Sequence, residues 1–283
     1  MMKLPNVSIV IPCYNHSDYV LNCLESTLTA YEGPLEIIIC DDASRDNSAD
    51  IIRSFIDEHH YHKNNYIFMQ NENNSGVCKT LNRCLERVSN DIIYMIASDD
   101  FISENGLTQA VHFLIENDAD AVISDCYVVN EHNQRVAESA FFDYRTSSLK
   151  KLSENIKNEL VFNWVVPGPA LLLKKTVFKD IGQYDPSLMA EDRDFYLRLL
   201  SKKRVVFNNA KVACYRIHSN NLSRTSAFKE KAHLEFSSVN FKYHANFNGL
   251  ARLYLKSYYL DTTGKSKYAI YIRKLIKLIY TLF

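Results

Sequence analysis

Acidic residues recur in this chain where apolar runs stop. Ile92-Ile93-Tyr94-Met95-Ile96 ends in Ala97-Ser98-Asp99-Asp100, and Ile37-Ile38-Ile39-Cys40 ends in Asp41-Asp42. A third pair, Glu191-Asp192, stands just ahead of Phe195, Leu197, Leu199 and Leu200. Adjacent carboxylates at the end of a buried strand repel each other and lose hydration unless a cation or hydrogen-bond donors meet them. Hard carboxylate oxygens suit magnesium or manganese, and such an ion stabilises negative charge on a departing phosphate. A carboxylate opening a helix can take the proton of an attacking hydroxyl, although the helix dipole alone also favours an acid there. Asp100 equally suits the cap of a helix that starts near Ser103.

The elements that must hold these groups follow from periodicity. Residues 7–11 read as a first buried strand, stopped by Pro12-Cys13-Tyr14-Asn15. Ser17 or Asp18 caps a helix whose apolar face includes Tyr19, Val20, Cys23, Leu24 and Leu28. Strands at 37–40, 66–70, 92–96 and 121–124 then alternate with helices at 48–59, up to about 87, and about 104–117. The strand runs lack polar alternation, so the pattern predicts an α/β fold: a Rossmann-like, mostly parallel central sheet flanked by helices. Ligands of such sheets bind beyond the carboxyl ends of the strands, where Pro12–Asn15, Asp41-Asp42 and Asp99-Asp100 all fall. The second half reads less regularly. A polar loop and amphipathic helix span 142–163, Val165–Leu173 is apolar around Pro167-Gly168-Pro169, a helix begins near Asp192, and strands occupy 205–207 and 212–217.

With 283 residues, 47% hydrophobic and 23% charged, the chain can bury a large core. Lys+Arg and Asp+Glu balance at 33 each, but from Phe228 onward ten basic residues face three acidic ones. The tail is therefore +7 and the body −7, which argues against nucleic-acid binding by the body. Seven irregularly spaced cysteines without a Cys-x-x-Cys predict buried free thiols in a reducing compartment. The first strand starts too early for a signal peptide, and no uncharged apolar run reaches membrane-spanning length, so a cytoplasmic location is expected.

Taken together, Val7–Asn15, Ile37–Asp46, Asn74-Ser75-Gly76, Ser98-Asp99-Asp100, Glu191-Asp192 and Arg216-Ile217-His218 resemble, in order and spacing, the inverting glycosyltransferases of family 2, with a GT-A-type fold. The resemblance covers roughly residues 5–225. It implies a catalytic domain at 1–227, with a nucleotide-sugar half to about 125 and an acceptor half at 126–227, followed by a basic helical extension at 228–283. It implies a metal-assisted single displacement that moves a sugar from a nucleotide-sugar donor, UDP-linked by expectation, to an acceptor hydroxyl in polysaccharide or glycolipid assembly. By the same resemblance Asp192 is the general base, Asp100 and His218 hold Mg2+ or Mn2+, and Asp99 contacts ribose. Pro12, Tyr14 and Asn15 wall the base groove, Asp41 contacts uracil, and Asn74, Gly76 and Ser98 line the donor site. The family often has an acid where this chain has Ala97.

Other residues carry two readings. Asp42 orients a loop or caps the Ser44–Ser48 turn, and Lys79 is solvated or approaches the phosphates. Trp164 packs in the core or stacks on an acceptor sugar, and Arg216 pairs with an acid or steadies the diphosphate. Glu191 and Asp194 orient the base or bind acceptor hydroxyls. In the tail, Ile272, Leu275, Ile276, Ile279 and Phe283 share a helical face, and residues 265–283 carry five basic residues and no acid. That segment predicts peripheral contact with the inner face of a membrane, suited to a lipid-linked acceptor, or contact with its own domain or a second subunit. Two further classes compete with the transferase. A nucleotidyltransferase that makes such donors needs a glycine-rich basic loop after the first strand, where Pro12–Asn15 has neither glycine nor base. A non-catalytic sugar-nucleotide or glycan-binding module needs no base at Asp192.

Overall fold

The computed structural model describes residues 4–60, 63–188, 191–219, 221, 226–261 and 266–282. Strands β1 (Val7–Cys13), β2 (Leu35–Asp41), β3 (Asn65–Gln70) and β4 (Ile92–Met95) alternate with helices α1 (Val20–Ser26), α2 (Ser48–His59) and α3 (Val77–Leu85). β5 (Phe101–Ile102), α4 (Gly106–Glu116), β6 (Ala121–Asn130) and β7 (Arg135–Ala137) follow. Then come a π-helical turn (Ala140–Tyr144), α5 (Leu149–Phe162), β8 (Leu171–Lys174), α6 (Thr176–Ile181), α7 (Glu191–Lys202) and β9 (Val205–Ile217). The C-terminal part is helical: α8 (Ser226–Tyr243), α9 (Gly249–Lys256) and α10 (Lys267–Leu282).

All strands join one nine-stranded sheet in the order β3-β2-β1-β4-β8-β6-β9-β5, with β7 paired to β6. β3, β2, β1 and β4 are mutually parallel, and this is the part that the unbroken apolar runs encode. Every residue of β2 is buried, including Glu36, whose carboxylate accepts from Ser8 Oγ at 2.6 Å and from the Ser89 amide and hydroxyl. β8 then inserts antiparallel between β4 and β6, which makes the whole sheet mixed. The two strands expected at 205–207 and 212–217 are one strand. Its Asn209-Ala210 stretch, next to Asn208, is a bulge, with the register passing from Ser124↔Asn208 to Asp125↔Lys211 and Lys211 paired to Asp125. Polar residues at a bulge look like a strand end in sequence because they leave the ladder.

The C-terminal helices share the main core, to which Val239, Phe247, Ala251 and Leu255 belong. Arg193 on α7, only 3% exposed, joins three of these elements. It donates to Leu160 O at 2.9 Å and Val161 O at 3.1 Å at the end of α5, and to Asn240 Oδ1 on α8 at 2.8 Å. A cation at a helix C-terminus meets carbonyls that lack helical partners, so even with burial lowering its pKa to about 10 it stays charged near neutrality. All seven cysteines are buried with free thiols, and no described helix is long and apolar enough to cross a membrane.

Gly106 lets α4 pass under β9. A Cβ there would lie 2.4 Å from the Val212 carbonyl oxygen, which also accepts from the Ser103 amide. Gly106→Ala is therefore expected to lower unfolding stability by about 1–3 kcal/mol in a urea titration, because the obstruction is backbone and cannot rotate away.

Candidate active site

The carboxyl ends of β1, β2 and β4 lie side by side. Cys13 pairs with Asp41, the Asp42 amide donates to Cys13 O at 2.8 Å, and the Ser98 amide donates to Pro12 O at 3.4 Å. Asn15 adopts a left-handed conformation (φ 53°) and crosses to the next loop, accepting from the Arg45 amide and donating its own amide to Ser44 Oγ. Pro12 is half-buried there and Tyr14 is exposed.

The two acids after β2 differ. Asp42 spends both oxygens on the following loop: Oδ1 accepts from Asn71 Nδ2 at 2.6 Å and the Ser75 amide at 2.8 Å, and Oδ2 from the Gly76 amide at 2.8 Å. Its role is thus to orient the 71–76 loop, and it does not cap the Ser44–Ser48 turn. Gly76 takes φ 86° at the mouth of α3, a conformation open to glycine. Asn74 and Lys79 are exposed. Asp41 accepts at Oδ1 from the Ser44 amide and Gln70 Nε2, while its Oδ2 is buried without a partner.

Beyond β4, Asp99, His16 and His218 converge, with one donor atom from each lying within 4.8 Å of the others. His218 Nε2 is 3.0 Å and His16 Nε2 3.8 Å from Asp99 Oδ2. His16 Nδ1 meets Ser98 Oγ at 2.8 Å, which turns the other ring nitrogen toward Asp99. Asn221 Nδ2 also reaches Asp99 Oδ2, at 3.3 Å, and Asn221 Oδ1 accepts from the His218 amide. Burial would raise the Asp99 pKa, but the His218 hydrogen bond and the charges of both imidazoles hold it below the usual carboxylate range. Burial lowers the His16 pKa against the opposing pull of Asp99.

Asp100 is held differently. Its Oδ1 accepts from the Arg216 amide at 2.7 Å, and its Oδ2 faces Gly168, 3.6 Å from where a Cβ there would stand. Burial first and then the charge of Asp99 push its pKa well up, with the Arg216 amide and charge opposing. One expectation changes here. The acid gathered with His218 is Asp99, because Asp100 is turned toward β9. Of the two readings of Arg216, the geometry favours the one beside the acids: it is 1% exposed and donates to Asp99 O, Asn130 O, Asn133 Oδ1 and Asn22 Oδ1.

Glu191 and Asp192 open α7. Asp192 is accessible to solvent. Desolvation raises its pKa to about 6, while the charge of Arg145 pulls the other way. Glu191 is raised by burial and by Asp192. Asp194 is buried and fully used, pairing with Arg198 and Lys242 and accepting from Tyr243 OH at 2.8 Å, so it neither orients the base nor meets an acceptor. Trp164 packs edge-on against Tyr196 at 5.0 Å with the Arg193 guanidinium over its ring, a core role. Arg145 lies against Tyr144 and Tyr215, 5.3 and 5.9 Å from their ring centres, with Nε buried and unpartnered. Tyr215 in turn feels the charges of Asp100 and Arg145, and Asp192 feels that of Arg145.

The sequence reading did not single out His16, Arg145 or Asn221. His16 had a signal, an imidazole directly after Pro12–Asn15 at a strand end. Arg145 had none, because it follows a π-helical turn that no residue pattern marks.

A mixed α/β sheet with acids gathered at its carboxyl rim is a fold for enzymes that hold nucleotides. The family model described as "Glycosyl transferase family 2" matches residues 8–182, more than half of the chain. The chain belongs to this family and is a glycosyltransferase with a GT-A-type fold. It is 26% identical over 229 residues to "Glycosyltransferase GlyG" of Streptococcus pneumoniae, covering 77% of this chain and 73% of that one. To the "Poly-beta-1,6-N-acetyl-D-glucosamine synthase" of Staphylococcus epidermidis it is 24% identical over 191 residues, or 67% of this chain and 44% of that one. Among solved structures, S. aureus TarS 1–349 in complex with UDP-GlcNAc superposes with TM-score 0.66 at 19% identity, covering 91% of this chain and 72% of that one. The longer TarS chain is covered over only 44% of its length.

If Asp192 takes the acceptor proton it works only when ionised, so kcat/KM should rise with pH and level off above about 6. Removing a nearby positive charge disfavours the carboxylate, so Arg145→Ala should move that rise to higher pH. Initial-rate pH profiles of the two proteins test both.

Proposed function

We propose that the chain is an inverting transferase that moves a sugar from a UDP-linked donor to a hydroxyl of a carbohydrate acceptor, in polysaccharide or glycolipid assembly. The observation that carries this reading is Asp192, a solvent-accessible carboxyl whose pKa is raised to about 6, and the rim supplies a carboxylate flanked by two imidazoles. A binding module needs no carboxyl held at that pKa. The related proteins point the same way: one is named as a poly-N-acetylglucosamine synthase, and solved structures of similar fold hold UDP-GlcNAc or GDP-Man with Mn2+.

In this reading Pro12 and Tyr14 wall the base groove and Asn15 fixes its loop. The unpartnered Oδ2 of Asp41 suits the imide N–H of uracil. Asn74 and Gly76, on the loop that Asp42 grips, border the donor. The donor set of His16, Asp99 and His218 fits a divalent cation of intermediate softness, and two imidazoles favour manganese over magnesium. Asp100, behind Asp99, keeps the strand end in place, and Ser98 orients His16. When bound, the cation would neutralise charge on the leaving diphosphate. Asp192 accepts the acceptor's proton as the hydroxyl attacks the anomeric carbon opposite the departing phosphate, which inverts the configuration. Glu191 beside it, its pKa pushed up by burial and by the charge of Asp192, is biased toward the form that can donate a hydrogen bond to Asp192 or to an acceptor oxygen.

Thermal-shift titration with a panel of nucleotide sugars tests the donor. A UDP-sugar with Mn2+ should stabilise most, by about 2.7 kcal/mol at a hundredfold excess over Kd. Asp192→Asn should keep that shift while transfer falls by roughly 100-fold or more. His16→Ala should weaken apparent Mn2+ affinity by roughly tenfold or more. A shift indifferent to both cation and nucleotide would remove the proposal.

A further inference from the structure

Helix α10 is held to the body by one face. Ala269 and Arg273 are buried, Arg273 pairs with Asp261 at 2.6 Å, and Ile276 and Tyr280 pack on the main core. Tyr280 stacks on Phe162 at 4.2 Å and its hydroxyl donates to Glu159 at 2.8 Å. The apolar face expected from the sequence is thus divided. Ile276 packs inward, Ile272 and Ile279 are half-buried, Leu275 points outward, and Phe283 lies outside the described residues.

A second apolar stripe faces solvent. Tyr268, Tyr271, Leu275, Leu278 and Leu282 are 71%, 67%, 47%, 56% and 71% exposed. Their spacing of three and four residues puts them on one face, roughly 21 Å long at helical rise. Single exposed apolar side chains need no explanation, but five in line on a helix already anchored by its other side do. Lys267 and Lys274 are exposed on the same helix, Lys277 is half-exposed, and α10 carries no acidic residue.

We propose that this outward face is a docking surface for an anionic lipid bilayer. Leucines enter the acyl boundary, tyrosines sit at headgroup level, and the lysine stems reach back to lipid phosphates. Charge complementarity selects this occupant. Two copies of α10 packed on each other across a two-fold axis would bring lysines together with no acid on either helix to offset them. A negatively charged surface meets the same lysines favourably, each contributing about fivefold in affinity. The docking is independent of donor and acceptor identity, since none of these residues belongs to the site above.

Sedimentation with vesicles tests it on the full chain. The protein should partition onto phosphatidylcholine vesicles containing about one-third phosphatidylglycerol, much less onto pure phosphatidylcholine, and less again as salt rises. Leu275→Ser with Leu278→Ser should reduce the bound fraction roughly tenfold or more, and Lys267→Gln with Lys274→Gln should do so on anionic vesicles only. These side chains are exposed, so circular dichroism and nucleotide-sugar thermal shifts should not change. Equal or absent binding on both vesicle types overturns the proposal, as does a concentration-dependent dimer that the leucine substitutions abolish.

Discussion

One buried arginine sets the geometry on which the site depends. Arg216 reaches from β9 across the sheet end and binds Asp99 through its side chain and Asp100 through its amide, and it ties both to Asn22, Asn130 and Asn133. Two neighbouring acids would otherwise spread apart, since each loses hydration and repels the other. A guanidinium that stays charged even with burial lowering its pKa holds them in place by charge and by directed donors. Its own support includes the rings of Tyr19 and Phe101 at 4.9 and 5.3 Å. Because β9 also carries His218, the same strand that fixes the acids delivers an imidazole to one of them.

Environment, more than residue type, divides the labour among the aspartates. Asp42 and Asp194 have both carboxylate oxygens engaged and act as fasteners, one for a loop and one for a helix pair. Asp99 is kept ionised by two imidazoles, whereas Asp100 is driven toward its neutral form. Asp192, its pKa raised to about 6, is left between these extremes. The rim therefore offers a fixed negative charge and α7 offers a titrating one. Proton transfer and charge neutralisation need those two different conditions.

The parallel half of the fold was legible because strands buried on both faces carry unbroken apolar runs, as residues 37–40 do in β2. The rim was legible because strands at adjacent sheet positions end together. What escaped the sequence was set by contacts between distant segments. Whether Asp99 or Asp100 faces His218 depends on an amide of Arg216 more than a hundred residues away. The fate of Arg216 depends on which oxygens surround it, and its basic side chain looks the same in either role. The bulge in β9 hid one strand behind two asparagines. The inward and outward faces of α10 could not be told apart because both are apolar.

Glu159 gives the C-terminal helix an additional importance. This carboxylate is buried in α5, accepting from Ser147, Asn163 and the Tyr280 hydroxyl, which comes from 121 positions further along. Two of the three pairings in the parallel half, β1 with β2 and β2 with β3, join strands separated by a single helix. The acid on α5 has no such local remedy for its second oxygen. Docking of α10 is therefore what gives the second oxygen of Glu159 its protein donor, and it couples α5 to a helix more than a hundred residues away.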